Sequence, residues 1–332
     1  MTEKPVVILT HHLLPAVQLD MESRWDLVQV EGGAKNLTQV LCAHPQARGL
    51  ISFLSENVSR DVLSAGPKLE IVANYAVGYN NIDVAAALEK GIWVTHTPDV
   101  LTAATADLAM ALLLSVARRI VEGDRLVRSG GFSGWASDLM LGRELTGAVM
   151  GIVGMGRIGT AVAQRAEAFG MQVVYFSRRR RPELEAERGY RFLEFAELVK
   201  VADVVSLHLP YSPEVHHLVD ASVLASMQKK SILINVARGP LVDEAALARC
   251  LAERGIAGAG LDVYEHEPRV NAQLTTLENA VLAPHAGSAT HTTRTRMARM
   301  VEESVSGALD GRRPPHLVPE WRKRIKEQPP GV

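Results

Sequence analysis

The sequence predicts an α/β protein built as two units, each with a parallel sheet covered by helices. Short β-branched or apolar runs alternate with Ala- and Leu-rich segments along most of the 332 residues. That alternation is the mark of strand–helix–strand repeats, which bury a sheet on both faces. It is interrupted once, near the middle, and then restarts. At ~100–200 residues per domain the length also gives about two domains, each with room for its own core.

In the first half the strand-like runs are Val6-Val7-Ile8-Leu9, Leu27-Val28-Gln29-Val30, Leu50-Ile51-Ser52-Phe53, Ile71-Val72-Ala73-Asn74 and Ile92-Trp93-Val94, with helical stretches such as Val84 to Lys90 between them. Ala103 to Arg128 then breaks the rhythm. It has no Pro and only Gly123, and it is rich in Ala, Leu, Met and Arg. These residues favour helix, so the segment reads as one long helix ended by Gly130-Gly131-Phe132-Ser133-Gly134. A helix this apolar is expected to be buried, between domains or against a second subunit. Strand-like runs resume at Val149 to Val153, Val173 to Phe176, Val204 to Leu209, Ile232 to Val236, Gly260 to Val263 and Val281 to Ala283. Thr292 to Leu309 reads as a polar helix, and Arg312 to Val332 as a tail rich in Pro and charge.

Composition removes several function classes. Lys and Arg total 36 against 37 Asp and Glu, a formal net charge of −1. That balance gives no electrostatic reason to bind nucleic acid or an anionic membrane. No apolar run reaches ~18 residues without a charge, so no membrane span is expected. Met1-Thr2-Glu3-Lys4-Pro5 carries no basic region followed by a long apolar core, so no secretory signal is expected. Cys42 and Cys250 cannot make a disulfide framework and suit a reducing, cytoplasmic compartment.

The most informative local run is Gly151-Ile152-Val153-Gly154-Met155-Gly156-Arg157-Ile158-Gly159. It places G-x-G-x-x-G directly after an apolar strand and before a helical stretch, Thr160 to Phe169. Gly154 allows the tight turn, Gly156 leaves room for a pyrophosphate, and Gly159 permits close helix–strand packing. The helix N-terminus then offers unpaired N–H groups to phosphate oxygens. The next strand ends at Phe176 and is followed by Ser177-Arg178-Arg179-Arg180-Arg181. An NAD site usually carries a carboxylate here, on the ribose 2′-hydroxyl. Guanidinium groups instead attract a 2′-phosphate. NADP is therefore the expected cofactor, with NAD possible, and Ser177, Arg178 and Arg179 are the expected readers.

Three motifs lie at the C-terminal ends of expected strands, where open α/β sheets bind ligands. They are Asn235-Val236-Ala237-Arg238-Gly239, Asp262 to Pro268, and Ala283-Pro284-His285-Ala286-Gly287-Ser288. Together they offer a guanidinium, a carboxylate and an imidazole. Hydride transfer to a carbonyl needs a proton donor and gains from a fixed cation. His285 suits the donor role, Glu267 can hold its other ring nitrogen, and Arg238 can grip a carboxylate in two parallel bonds. Spacing leaves Glu265 and His266 in competition with Glu267 and His285.

With these motifs, and with Val77-Gly78-Tyr79-Asn80-Asn81-Ile82-Asp83 and His208-Leu209-Pro210, the chain resembles the D-isomer-specific 2-hydroxyacid dehydrogenases over nearly its whole length. Within that family it looks most like the glyoxylate/hydroxypyruvate reductases. The resemblance implies two domains of Rossmann-like and flavodoxin-like type. Residues 1–99 and 291–332 would bind substrate, and the cofactor domain, 100–290, would be inserted between them. It makes Arg238, Glu267 and His285 the catalytic trio, and so chooses Glu267 over Glu265. It puts the substrate carboxylate on backbone amides around Val77 and Gly78, with Arg238. It implies cofactor contacts from Thr105, Arg157, Ile158, Leu209, Pro210, Val236, Ala237, Asp262, Ala286 and Gly287, besides the loop glycines. It also implies a homodimer formed through the helix from Ala103, and an active site in an interdomain cleft that closes on cofactor binding.

Departures narrow the expectation. Formate-oxidising relatives carry Gln in place of Glu267, and phosphite-oxidising relatives carry Lys in place of Val77. Phosphoglycerate-type relatives often append regulatory domains, for which a chain ending at Val332 leaves no room. The expected function is NADP-preferring reduction of small 2-oxo acids, glyoxylate and hydroxypyruvate first, with His285 as proton donor. The rival readings are the same chemistry on bulkier 2-oxo acids, and a nucleotide-sensing, corepressor-like binding protein. A metal site is not expected. In His11-His12 and His216-His217, neighbouring side chains should point apart, and no Cys or carboxylate stands at ligand spacing. Cys42 and Cys250 read as small buried side chains, and Phe132 and Trp135 as packing or interface residues.

Overall fold

The computed structural model describes residues 3–30 and 36–327. Met1 and Thr2 of the N-terminal segment and residues 328–332 of the tail lie outside the described residues. The chain divides into two compact units, Met1–Leu101 with Ala289–Val332, and Thr102–Ser288.

The first unit runs β1 (Val6–Leu9), α1 (Pro15–Arg24), β2 (Asp26–Gln29), α2 (Leu37–Ala43), β3 (Gly49–Ser52), α3 (Arg60–Ala65), β4 (Ile71–Asn74), α4 (Val84–Lys90) and β5 (Trp93–Thr95). All strand pairs are parallel, in the order β2-β1-β3-β4-β5. That is the flavodoxin-like order. Residues on β1 alternate between two cores, as a pleated strand must. Ile8 packs with Leu41, Val62 and Leu63, while Val7 and Leu9 pack with Met297, Val301 and Val305. Asp83 caps α4 by accepting the Ala86 N–H at 2.9 Å, and Gly91 ends that helix at φ 73°.

The second unit runs α5 (Thr102–Ala117), α6 (Ile120–Arg128), β6 (Val149–Val153), α7 (Arg157–Ala168), β7 (Gln172–Phe176), α8 (Pro182–Arg188), β8 (Arg191–Phe192), α9 (Phe195–Val201), β9 (Val204–Leu207), α10 (Ala221–Ser226), β10 (Ile232–Asn235), α11 (Glu244–Ala252), β11 (Gly258–Leu261) and β12 (Ala280–Leu282). Its sheet order, β12-β11-β10-β9-β6-β7-β8, is also all parallel. The order reverses between β6 and β9, the doubly wound arrangement that leaves a ligand crevice at the strands' C-terminal ends. The chain then returns to the first unit as α12 (His291–Leu309) and α13 (Pro319–Glu327).

Three expectations need correction. The helix read as continuous from Ala103 to Arg128 is two helices. Arg119 takes a left-handed conformation at φ 55°, and the returning Arg143 N–H donates to the Ala117 carbonyl at 2.7 Å. A tertiary contact thus takes the acceptor that a continuing helix would have used. Only α5 is buried, with Ala106, Ala109, Leu112 and Leu113 in the core of its own unit, whereas α6 buries no residue. Close approach of α5 to the sheet relies on Gly260, where a Cβ would stand 2.9 Å from those of Leu112 and Ile234's Cδ1. Second, the tail is partly folded. Trp321 of α13 is buried against Trp93 with ring centroids 4.4 Å apart, and its indole N–H donates to the Ile92 carbonyl at 3.1 Å. Third, Cys42 is exposed rather than buried.

Candidate active site

Arg238, Glu267 and His285 all come from the loops that follow β10, β11 and β12. Each loop is shaped by its own polar contacts. After β10, the Asn235 side chain accepts the Ala237 N–H at 3.0 Å and donates to the Arg238 carbonyl at 2.9 Å, which folds the turn under Arg238. Gly239 then lies flat against the Tyr264–Glu265 peptide, where any Cβ would overlap the Tyr264 carbonyl. The guanidinium Nη1 of Arg238 donates to the Ala237 carbonyl at 2.6 Å. Burial pulls its pKa down, and the charge of Glu267 opposes that fall.

Glu267 faces two donors. Its Oε1 accepts the Tyr264 N–H at 3.0 Å, and its Oε2 lies 2.7 Å from Nδ1 of His285. Burial pushes the Glu267 carboxyl up. The hydrogen bond and charge of His285, with the Tyr264 N–H and Arg238, outweigh it, so the net shift is downward. Glu267 therefore stays ionised beside the imidazole. With Nδ1 taken by Glu267, Nε2 is the ring nitrogen left for a substrate.

His285 sits in a left-handed conformation, φ 52°. The turn that holds it is fixed by Asp262, which is buried and accepts the Ala286 and Gly287 N–H groups at 2.6 and 2.8 Å. The His285 N–H donates to the Asp262 carbonyl at 2.9 Å, and Thr105 Oγ1 donates to the Gly287 carbonyl at 3.1 Å. Desolvation raises the Asp262 pKa, against the two N–H bonds that lower it.

The structure pairs Glu267 with His285 and gives Glu265 another partner. Glu265 Oε1 lies 2.8 Å from Nε2 of His217, while its N–H is tied to the Glu244 carboxyl. His216 stacks on His217 with ring centroids 3.9 Å apart. Neighbouring imidazoles here lie side by side, and a carboxylate distant in sequence reaches them, contrary to the premise drawn from spacing.

The glycine loop fits a dinucleotide on three counts. Gly154 adopts φ 104°, and a Cβ there would meet the His208 carbonyl and Leu209 at 2.7 to 2.8 Å. Gly156 is the N-cap of α7 with no side chain capping it, so its first-turn N–H groups stay available for phosphate oxygens. A Cβ at Gly156 would meet no heavy atom within 4 Å. A Cβ at Gly159 would overlap the Gly154 carbonyl oxygen, so the helix packs directly on the loop.

The four arginines after β7 divide into two kinds. Arg180 pairs with Glu185 at 2.6 Å, and Arg181 pairs with Glu183 and donates to the Met155 carbonyl at 2.8 Å. Arg178 and Arg179 are exposed and make neither contact, and Ser177 is half-buried beside them. Leu209 is half-buried and Pro210 exposed at the end of β9, and Val236 and Ala237 are buried at the end of β10. Arg157 and Ile158 open α7.

In the first unit, Val77 and Gly78 follow β4. Their carbonyls accept from His96 Nδ1 at 2.8 Å and Asn74 Nδ2 at 2.7 Å. Among the described residues, no acceptor is found for their N–H groups. The sequence does not single out His96, and it marks Asn74 only as a strand residue. Nothing in their spacing signals that they orient this loop. Beyond it, among the described residues, no helix is long and apolar enough to cross a membrane.

Comparison with known proteins gives a consistent result. Residues 110–287 match the family model described as D-isomer specific 2-hydroxyacid dehydrogenase, NAD binding domain. The glyoxylate reductase of Thermococcus litoralis is 50% identical over 273 residues, 81% of this chain and 82% of that protein. That of Pyrococcus horikoshii is 44% identical over 334 residues, 99% of each. Among solved structures, the NADPH-dependent glyoxylate/hydroxypyruvate reductase of Sinorhizobium meliloti, in complex with NADP and malonate, is similar with a TM-score of 0.87 at 33% identity. The match covers 96% of this chain and 98% of that one.

Proposed function

Since the chain belongs to the D-isomer specific 2-hydroxyacid dehydrogenase family, and is an NAD(P)-dependent D-2-hydroxyacid dehydrogenase, we propose that it reduces glyoxylate and hydroxypyruvate with NADPH preferred to NADH. The carrying observation is the 2.7 Å contact between Glu267 Oε2 and His285 Nδ1. It turns the ring so that Nε2 gives its proton to the substrate's carbonyl oxygen. Glu267 keeps the imidazole oriented. Arg238 takes the substrate carboxylate and draws electron density from the adjacent carbonyl. In the first unit, the N–H groups of Val77 and Gly78 are donors of a kind that suits a carboxylate. The chemistry supplied by a bound nicotinamide is hydride transfer to the carbonyl carbon.

Gly154, Gly156, Gly159, Arg157 and Ile158 would hold the pyrophosphate, with Leu209, Pro210, Val236, Ala237, Thr105, Asp262, Ala286 and Gly287 around the remainder of the cofactor. NADP preference is supported by the division of the arginine run. Arg180 and Arg181 are engaged locally, which leaves Ser177, Arg178 and Arg179 for a 2′-phosphate. The NADPH dependence of the Sinorhizobium meliloti reductase points the same way.

A homodimer belongs to this reading. Ile120, Val127, Phe132, Trp135, Leu139 and Leu141 are all exposed, Trp135 at 86%. So many large apolar side chains on one short stretch favour a covering partner. A reducing, cytoplasmic setting suits the free cysteines.

The test is a panel of 2-oxo acids run with NADPH and NADH, on wild type and His285→Ala. Glyoxylate and hydroxypyruvate with NADPH should give the highest kcat/KM, and His285→Ala should lower kcat at least ~10²-fold. Best turnover on bulky 2-oxo acids, or near-normal turnover in the variant, would overturn the reading.

A further inference from the structure

We propose that His216, His217 and Glu265 form a binding site for one divalent transition-metal ion of the zinc class. The site begins with a backbone feature. His217 lies at φ 50°, a left-handed conformation that few non-glycine residues adopt. It brings the His217 ring alongside that of His216, 3.9 Å away and within 20° of parallel. The loop is pinned from beneath: the His217 N–H donates to the Pro240 carbonyl at 2.9 Å, and the Val219 N–H to the Leu241 carbonyl at 2.9 Å. The carboxylate arrives from the loop after β11, where Glu265 Oε1 stands 2.8 Å from His217 Nε2.

One ligand atom from each of the three residues lies within 4.8 Å of the others. Zinc–nitrogen and zinc–oxygen bonds of about 2.0–2.2 Å set ligand atoms roughly 3.3 Å apart in a tetrahedron. Imidazole lone pairs lie in the ring plane, so the exposed His216 has to turn out of the stack for both rings to face one ion, and it can do so without disturbing the core. The Tyr211 hydroxyl stands 3.4 Å from His216 Nδ1, on the nitrogen that a metal at Nε2 would leave for an outer partner. Two imidazoles and one carboxylate, with a fourth position open to water, suit zinc, cobalt, nickel or copper. Magnesium and calcium prefer oxygen ligands. An ordinary ion pair would explain His217 with Glu265, but it gives no reason for a ligand atom of a second imidazole within 4.8 Å of both.

The experiment uses the full chain in a Cys42→Ser background, which removes the exposed thiol as a competing ligand. Chelator-treated protein is titrated with Zn²⁺ by calorimetry and with Co²⁺ by visible absorption. Neither readout involves substrate or cofactor, so the result stands apart from the reaction proposed above. One ion per chain should bind saturably, and His216→Ala and Glu265→Gln should each weaken binding at least ~10-fold, as loss of even an outer-sphere partner does. Circular dichroism checks that both variants are folded, and exposed His216 makes the first of them safe for the core. No saturable binding, or unchanged affinity in folded His216→Ala, would overturn the proposal.

Discussion

Oε2 of Glu267 stands 2.7 Å from Nδ1 of His285, while the other oxygen of the same carboxyl holds the Tyr264 N–H at 3.0 Å. The carboxylate is therefore anchored to backbone on one side and orients the imidazole from the other. Replacing Glu267 by Gln keeps the shape and removes the charge. The amide can turn its nitrogen toward Nδ1, so the ring loses the acceptor that orients it. Glu267→Gln should lower kcat for reduction about 10-fold or more, part of the ~10²–10⁴-fold that a positioned proton donor contributes. Steady-state rates with saturating substrate measure this, and an unchanged kcat would contradict the coupling.

Arg180 is ion-paired with Glu185 at 2.6 Å, whereas Arg178 and Arg179 stand exposed beside it. The double variant Arg178→Ala/Arg179→Ala should raise KM for NADPH at least ~10-fold and leave KM for NADH nearly unchanged, since each charged hydrogen bond is worth about 1.5–3 kcal/mol. Arg180→Ala should leave the NADPH-to-NADH ratio as it was. Equal effects on the two cofactors would remove the basis for the assignment.

Two glycines of the second unit should respond oppositely to the same substitution. A methyl group at Gly156 meets no atom of the protein within 4 Å. Gly156→Ala should therefore melt like the wild type and bind the dinucleotide at least ~10-fold more weakly, because the methyl enters the phosphate space. A methyl at Gly239 overlaps the Tyr264 carbonyl. Gly239→Ala should lose about 1–3 kcal/mol of stability or more, as overpacking does. Thermal melts and cofactor titrations, run side by side, separate the two.

Asp203 gives a test of stability against pH. Burial pushes its carboxyl up, but Lys230 at 2.7 Å, the Val149 N–H at 2.8 Å and Arg143 outweigh that and hold it at about 2. A folded-state value below the ordinary one stabilises the fold above the unfolded pKa, near 4, and that contribution fades as pH falls toward 2. Asp203→Asn should cost about 1–2 kcal/mol at neutral pH. The gap to wild type should narrow between pH 4 and pH 2 when followed by chemical denaturation. A gap independent of pH would mean that the ion pairs contribute little.

Much of this architecture is legible in the residues themselves. Strand–helix alternation gives both parallel sheets, and the G-x-G-x-x-G run leads from the end of β6 into the first turn of α7, where a dinucleotide loop belongs. What spacing cannot supply is the third dimension. Spacing alone leaves Glu265 and Glu267 equivalent; the family resemblance selects Glu267, and the folded loop sends Glu265 to His217 and Glu267 to His285. The arginine run looks uniform until Glu183 and Glu185 of α8 claim two of its members. The break after Ala117 depends on Arg143, which lies far along the chain, so no local propensity announces it. The left-handed backbone at His217 follows from its anchoring to Pro240, again a distant contact.

The return of α12 and α13 to the first unit has a consequence for how the protein is made. Val7 and Leu9 are synthesised long before α12, yet their face of the sheet is covered by Met297, Val301 and Val305. Trp93 likewise waits for Trp321. The inserted unit draws its core from one unbroken stretch, Thr102–Ser288, and can complete itself while the earlier strands remain half-clothed. In the nascent chain β1 is thus sealed only once α12 has been made, after the inserted unit can already be complete.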